Sequence, residues 1–260
     1  MTGTAAGVAR GALLVARRPR VFLGRRSTVF VLGHMRSYST LLCHILGSHP
    51  EIAGYAEMHL AYRNGLDLLR LRARVFRSLG CVLPGRFVLD KVLHDEYAVA
   101  PSVLRRQDVH AIVIVRRPAE TIRSVLAMGE RIPSVAWYSD VDAAVDYYAT
   151  RVRSLATVRE HASHCIFVRA EDVVEETSRA LAEVTKFLGL EQGLTEEYDL
   201  FPHTGEQGWG DDSAAIRSGR VVRPERHSDR DAPPQTALAP AIRSYEECCA
   251  AFAHTRIASS

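Results

Sequence analysis

The sequence predicts an α/β protein with parallel strands, and three stretches carry that expectation. In 28–50 the apolar run Val29, Phe30, Val31, Leu32 stops at Gly33, and Leu41, Leu42, Ile45 and Leu46 then recur at helical spacing. In 111–128 the run AIVIV ends in Arg116-Arg117-Pro118, with the proline suited to the first turn of a helix over 119–128. In 165–190 the run CIFVR precedes a helical pattern that closes on Phe187-Leu188-Gly189-Leu190. Short β-branched runs bounded by turn residues read as buried strands, and spacings of three and four read as one face of a helix. Strand and helix in alternation are the mark of a parallel sheet covered by helices.

In chain order, residues 1–26 carry six arginines around a short GALLVA stretch, too short for a membrane span. They are expected to be a loosely ordered basic lead-in, with targeting or membrane-surface binding as the alternative, and 27–260 to form the domain. The loop from Gly33 to Thr40 follows. A buried strand feeding a helix through a short loop aims several backbone N–H groups and the positive end of the helix dipole at one spot, which holds an anion. The turn-rich EIAGYAEMHL (51–60) sits near the carboxyl edge of the sheet, where open α/β folds bind ligands. Residues 58–80, with five arginines between leucines, predict an outer helix with a solvated face. RFVLDK (86–91) predicts a short buried strand with charge at its end. A loop over 129–142 holds Pro133, Trp137 and Tyr138, read first as core aromatics and second as pocket lining. A helix to about Glu160 then carries Val145, Tyr148, Val152 and Leu155 on one side. The long irregular stretch 201–240 is expected to be a lid or disordered. The final helix, 241–253, is expected to pack on the sheet.

A chain of 260 residues, 47% hydrophobic and 24% charged, can bury one large core and demands no second domain. No apolar run is long enough to cross a membrane. The net charge of +3 rests on arginine, since Lys91 and Lys186 are the only lysines among 33 basic residues. Coding bias produces such a skew as readily as selection for anions, and no aromatic-basic motif argues for nucleic acid. Five cysteines without zinc-ligand spacing, two of them adjacent at Cys248-Cys249 in a predicted helix, point to a reduced, cytoplasmic protein.

The Gly33 loop is a poor nucleotide-binding Walker loop, because Tyr38 stands where the second glycine belongs and Ser39 where the lysine belongs. Its order Arg36, Ser37, Tyr38, Ser39, Thr40, Leu41, Leu42 instead resembles the 5′-phosphosulfate loop of sulfotransferases, commonly Arg-Ser-Gly-Thr-Thr. Tyr38 replaces the glycine there, and a bulky residue does not easily take φ > 0. Arg116 and Ser124, spaced by eight residues across a strand-to-helix junction, are similar to the clamp with which that family holds the donor's 3′-phosphate. A planar guanidinium fork and a hydroxyl suit a phosphate. Arg169-Ala170-Glu171-Asp172-Val173, followed by Phe187-Leu188-Gly189-Leu190, resembles a structural pattern of the same family, with Gly189 as the helix stop. Arg217-Ser218-Gly219 is loosely similar to its late donor-binding loop.

The resemblance covers about 28–220 and implies a three-layer αβα, P-loop-like fold with a central parallel sheet. It implies transfer of a sulfuryl group from 3′-phosphoadenosine 5′-phosphosulfate to a hydroxyl of a small-molecule or glycan acceptor, releasing adenosine 3′,5′-bisphosphate. By the same resemblance Glu57 is the general base, Lys91 neutralises the leaving phosphate oxygen, and His94 is the substitute base. Each has a plainer reading beside it: Glu57 as a surface glutamate at a helix start, Lys91 as half of a surface Asp–Lys pair, His94 as a solvated loop histidine. No metal is required by these residues; no nucleic-acid partner is expected, and a homodimer is allowed for. The rivals are a small-molecule kinase, for which the loop lacks its lysine, and a non-catalytic nucleotide-binding domain, favoured by Tyr38.

Overall fold

The computed structural model describes Phe22, 24–132, 134–206, 210–223 and 233–253. Most of the basic lead-in (1–21 and 23), Pro133, and 207–209 and 224–232 of the expected lid lie outside the described residues.

Strand β1 (Ser27–Leu32) leads into helix α1 (Ser39–Gly47), and a two-residue strand β2 (Ile52–Ala53) follows. Next come α2 (Gly65–Ser78), β3 (Phe87–Val92), a short α3 (Pro101–Leu104) and β4 (Val109–Val115). Helices α4 (Pro118–Arg131), α5 (Val141–Ala156) and α6 (Val158–His161) precede β5 (Cys165–Arg169). The described chain ends with α7 (Ala170–Glu175), α8 (Thr177–Leu188) and α9 (Gln235–Ala253).

The strands form one sheet in the order β2-β3-β1-β4-β5, and every neighbouring pair is parallel. β1 lies between β3 and β4, with Leu32 level with both Val92 and Val113. The chain therefore reverses its direction of travel across the sheet around β1, and the crevice beyond the strand ends opens there. Alternate residues feed two cores. Val29 and Val31 pack with Leu42, Ile45 and Leu46 of α1 and with α7 and α8, while Phe30 and Leu32 pack with α2, α5 and α9 on the other face. Helix, sheet and helix make three layers, as the resemblance implies. Burial on both faces is why these strands read as continuous apolar runs.

Local chemistry sets the helix ends. The expected helix over 58–80 begins only at Gly65, because Asn64 and Asp67 form a capping box there, with Asn64 Oδ1 accepting from the Leu66 N–H at 2.9 Å. Pro118 stands in the first turn of α4, which runs to Arg131 rather than ending at 128. Asp140 caps α5 through the N–H groups of Asp142 and Ala143. Gly189, at φ 60°, ends α8 in the left-handed conformation expected of it. The last helix starts earlier than 241 and packs chiefly on α5, reaching the sheet where Phe252 stacks on Phe167 with ring centroids 5.1 Å apart. Among the described residues no helix is long and apolar enough to cross a membrane.

Candidate active site

A cavity of about 310 Å³ opens at the carboxyl end of the sheet. The loop after β1 forms its floor. Gly33 is needed because a Cβ there would come within 2.9 Å of Ile114 Cγ2 and 3.0 Å of Ser37 Oγ. The fully buried Ser37 hydroxyl donates to the His34 carbonyl at 2.7 Å, folding the loop back on itself. α1 begins after Tyr38 with no side-chain cap, so its first-turn N–H groups are available to an anion.

Arg36 and Tyr38 both adopt left-handed backbone, at φ 62° and 57°. The sequence argued against this at Tyr38, and the structure has it nonetheless. The conformation costs roughly 1–2 kcal/mol for a residue with a Cβ. What offsets it is visible: the Arg116 guanidinium carbon lies 4.4 Å from the centroid of the Tyr38 ring, a stacking contact of about 0.5–2 kcal/mol.

Arg116 leaves β4 beside this loop. Its backbone N–H donates to His34 Nε2 at 3.0 Å, and its side chain donates to the Arg36 carbonyl at 3.1 Å. The ring of His34 is fully buried and gives its Nδ1–H to the Met35 carbonyl at 2.8 Å. Burial lowers its pKa to about 3, so it is a neutral fixture. Arg36 turns its Nε–H to Ser124 Oγ of α4 at 2.8 Å, which joins the loop to the clamp motif. Among the described residues, Arg116 Nε is buried without a hydrogen-bond partner, as is Glu57 Oε1. Both atoms belong to side chains that line the cavity, and both call for a polar ligand.

Lys91 is 3% exposed and Asp90 is completely buried, which overturns the reading of a surface Asp–Lys pair. Lys91 Nζ donates to Thr40 Oγ1 at 3.3 Å, bringing an ammonium from β3 to the first turn of α1. Asp90 points to the other face, accepting from the Met58 N–H at 2.8 Å and from the Tyr62 hydroxyl. These two bonds favour its charged form, but burial outweighs them and pushes its pKa up to about 7. The bond to Met58 fixes the segment that presents Glu57 to the cavity. Glu57 precedes α2 by several residues, so it is not a glutamate at a helix start. His94 lines the same wall, its pKa lowered by burial and raised in part by the charge of Glu57.

Arg36, Ser37, Tyr38, Ser39, Thr40, Glu57, His94 and Arg116 thus face one cavity, with Ser124 and Lys91 attached through Arg36 and Thr40. Arg217, Ser218 and Gly219 do not line it. The Arg217 guanidinium donates to the carbonyls of Gly205 at 2.5 Å and Asp212 at 3.3 Å, and the Ser218 hydroxyl bonds within its own turn. Residues 210–212 do reach the cavity: a Cβ on Gly210 would stand 2.7 Å from Thr40 Oγ1, and Asp211 lies 3.7 Å from Arg36. Tyr138 is lining, whereas Trp137 meets Tyr138 edge-on and Tyr147 at a tilt, and packs against the core.

Sequence reasoning missed His34, Asp90 as a support, Tyr147, whose hydroxyl accepts from the Met35 N–H at 3.0 Å, and Arg151. Arg151 is nearly buried and donates to the carbonyls of Gly33 and Val92, both at 2.8 Å, tying together the ends of β1 and β3. Only their residue types, polar groups in apolar surroundings, could have flagged them.

No protein-family model matches the chain, and no curated protein matches it in sequence. Solved structures resemble it in fold. The sulfotransferase from Alicyclobacillus acidocaldarius gives a TM-score of 0.52 at 15% identity, over 88% of this chain and 96% of that one. The sulfotransferase domain from the curacin biosynthetic pathway gives 0.49 at 15% identity, over 88% and 98% of the two chains. The sulfotransferase domain of the Synechococcus PCC 7002 olefin synthase gives 0.48 at 18%, over 85% and 95%. Five parallel strands in three layers, with the loop of β1 at the crevice, agree with the first of these: the chain has the sulfotransferase fold.

Proposed function

We propose that the protein is a sulfotransferase that uses 3′-phosphoadenosine 5′-phosphosulfate and an acceptor hydroxyl. The observation that supports this most is the convergence of Arg36, Arg116 and Ser124 beside the uncapped first turn of α1, with Arg116 Nε left buried and unpartnered. Two guanidinium groups, a hydroxyl and a helix N-terminus are a donor set for more than one phosphate-like group.

The donor supplies an activated sulfuryl group: the acceptor oxygen forms a bond to sulfur as the bond from sulfur to the phosphate oxygen breaks. Arg116 and Ser124 hold the 3′-phosphate, and the amides of 37–40 with Arg36 hold the 5′ side. Lys91, at Thr40, meets the charge that develops on the departing phosphate oxygen. Glu57 takes the acceptor's proton, and His94 on the same wall is positioned as the alternative base. Positioning and charge neutralisation carry most of such a transfer. The apolar part of the wall, Met35, Leu93, Met128 and Ile132, suits the carbon skeleton of a small acceptor.

Lys91 also places an ammonium beside the loop that a kinase would need, which makes ATP the proper comparison ligand. Calorimetric titration with adenosine 3′,5′-bisphosphate and with ATP, in wild type and Arg116→Ala, tests the proposal. Tight bisphosphate binding that falls about 10- to 100-fold in the variant, the loss of a charged hydrogen-bonding partner, is expected. A preference for ATP with magnesium would overturn the reading in favour of a kinase.

A further inference from the structure

The tyrosine in the phosphate loop has a use that its replacement of a glycine conceals. Glycine would take φ 57° freely, so the tyrosine is tolerated against a backbone preference. Its ring is mostly buried, and the Arg116 guanidinium sits over its face, with the guanidinium carbon 4.4 Å from the centroid. Arg116 is otherwise held loosely for a half-buried arginine. Its side chain has one bond, to the Arg36 carbonyl at 3.1 Å, and Nε has none. Among the described residues no carboxylate forms an ion pair with it, and the acidic charges that act on it are those of Glu171 and Glu120. Glu171 is engaged instead with the Arg117 backbone N–H at 2.8 Å. The ring face and the Arg36 carbonyl are thus the two contacts that bear on how the guanidinium is set.

Resting on the sulfotransferase reading above, we propose that Tyr38 is a positioning residue for Arg116: it stacks on one face of the guanidinium and so holds the N–H edge ready for the 3′-phosphate. A carboxylate could orient the arginine too, but it would occupy the N–H groups and cancel the charge. An aromatic face orients it and leaves both free. The loop gives up easy backbone geometry and gains a preorganised arginine.

The test is a set of dissociation constants for adenosine 3′,5′-bisphosphate and for adenosine 5′-phosphate in wild type, Tyr38→Phe, Tyr38→Gly, Arg116→Ala and the Tyr38→Gly/Arg116→Ala double variant. Tyr38→Phe keeps the ring and should bind the bisphosphate within about twofold of wild type. Tyr38→Gly relaxes the backbone but removes the ring, and should lose about tenfold for the bisphosphate with little change for the monophosphate. In the Arg116→Ala background the glycine change should cost nothing further. A general loop-shaping role would instead weaken both ligands alike and would persist in that background; either result overturns the proposal, as does wild-type affinity in Tyr38→Gly. If wild type itself binds the bisphosphate no better than the monophosphate, the functional reading has failed and this inference falls with it. Thermal unfolding of each variant identifies any that does not fold, in which case Tyr38→Asn, which tolerates left-handed backbone, takes the place of glycine.

Discussion

Around the cavity three polar side chains are set by regular elements, Arg116 by the end of β4, Ser124 by α4 and Lys91 by β3, and the loop-borne Arg36 is held by the bond it gives Ser124. In the segment above it, 198–206 and 210–223, several side chains hold the backbone of their own segment. Arg217 bonds the carbonyls of Gly205 and Asp212, Ser218 those of Ala215 and Arg220, and Tyr198 those of Ala215 and Ile216. The anchor of this upper segment lies elsewhere, where Tyr55 stacks on Phe201 at 4.1 Å and His44 bonds Thr204 at 2.9 Å. A charged side chain on a strand end points where the sheet sends it, whereas Arg217 in its loop satisfies the carbonyls that are near. The same residue type therefore carries different weight in the two regions.

If these residues and the wall beside them carry the chemistry, the largest effect belongs to Glu57→Gln. It should lower kcat by about 10²–10⁴-fold, the range of a lost general base, and leave the affinity for adenosine 3′,5′-bisphosphate within about twofold. Steady-state kinetics with a responsive acceptor, beside calorimetry, separates the two quantities. Retained turnover in Glu57→Gln with loss in His94→Ala would move the proton to the neighbouring side chain and leave the comparison standing.

A second test asks what holds the floor in place, through pH. Asp90, raised to about 7 from an ordinary value of 3.8, keeps its proton in the folded chain after the unfolded chain has released it, so between those values stability falls as pH rises. His34, lowered to about 3 from 6.5, does the reverse: the unfolded chain binds the proton first on acidification, so stability rises with pH up to about 6.5. Each slope is about 1.4 kcal/mol per pH unit, and between pH 4 and 6.5 the two oppose each other. Urea unfolding at several pH values in this window should show Asp90→Asn gaining stability with pH relative to wild type, and His34→Gln losing it. Variants parallel to wild type would show that neither group titrates as its burial requires.

Fold and floor were legible in the sequence for one reason. Val29 to Leu32, Ala111 to Val115 and Cys165 to Val168 pack on both faces of a parallel sheet and so stand out as apolar runs, and motif residues at their ends inherit fixed positions. β2 was not legible, since two residues paired to β3 leave no pattern. Nor were His34 and Asp90, whose roles depend on partners 82 and 32 residues away. The backbone at Tyr38 was misjudged because local preference was weighed without the arginine that tertiary structure lays on the ring.

The smallest expected effect lies in the upper segment and is the sharpest test of the comparison. Arg217→Ala removes a guanidinium that is exposed and bonded to two loop carbonyls, which water can satisfy in its place. The cost to stability should be about 0.5–1.5 kcal/mol at most, the net worth of such bonds, and bisphosphate affinity should change by less than about threefold. Asp212, whose carbonyl Arg217 holds, pairs its carboxylate with Arg131 at 2.9 Å, so the 210–212 strip keeps a second tether when the first is cut. A loss matching that of Arg116→Ala would mean that Arg217 leaves its carbonyls and turns into the cavity once the donor is bound. The upper segment would then belong to the site by rearrangement, and the distinction between element-borne and loop-borne arginines would hold only for the free protein.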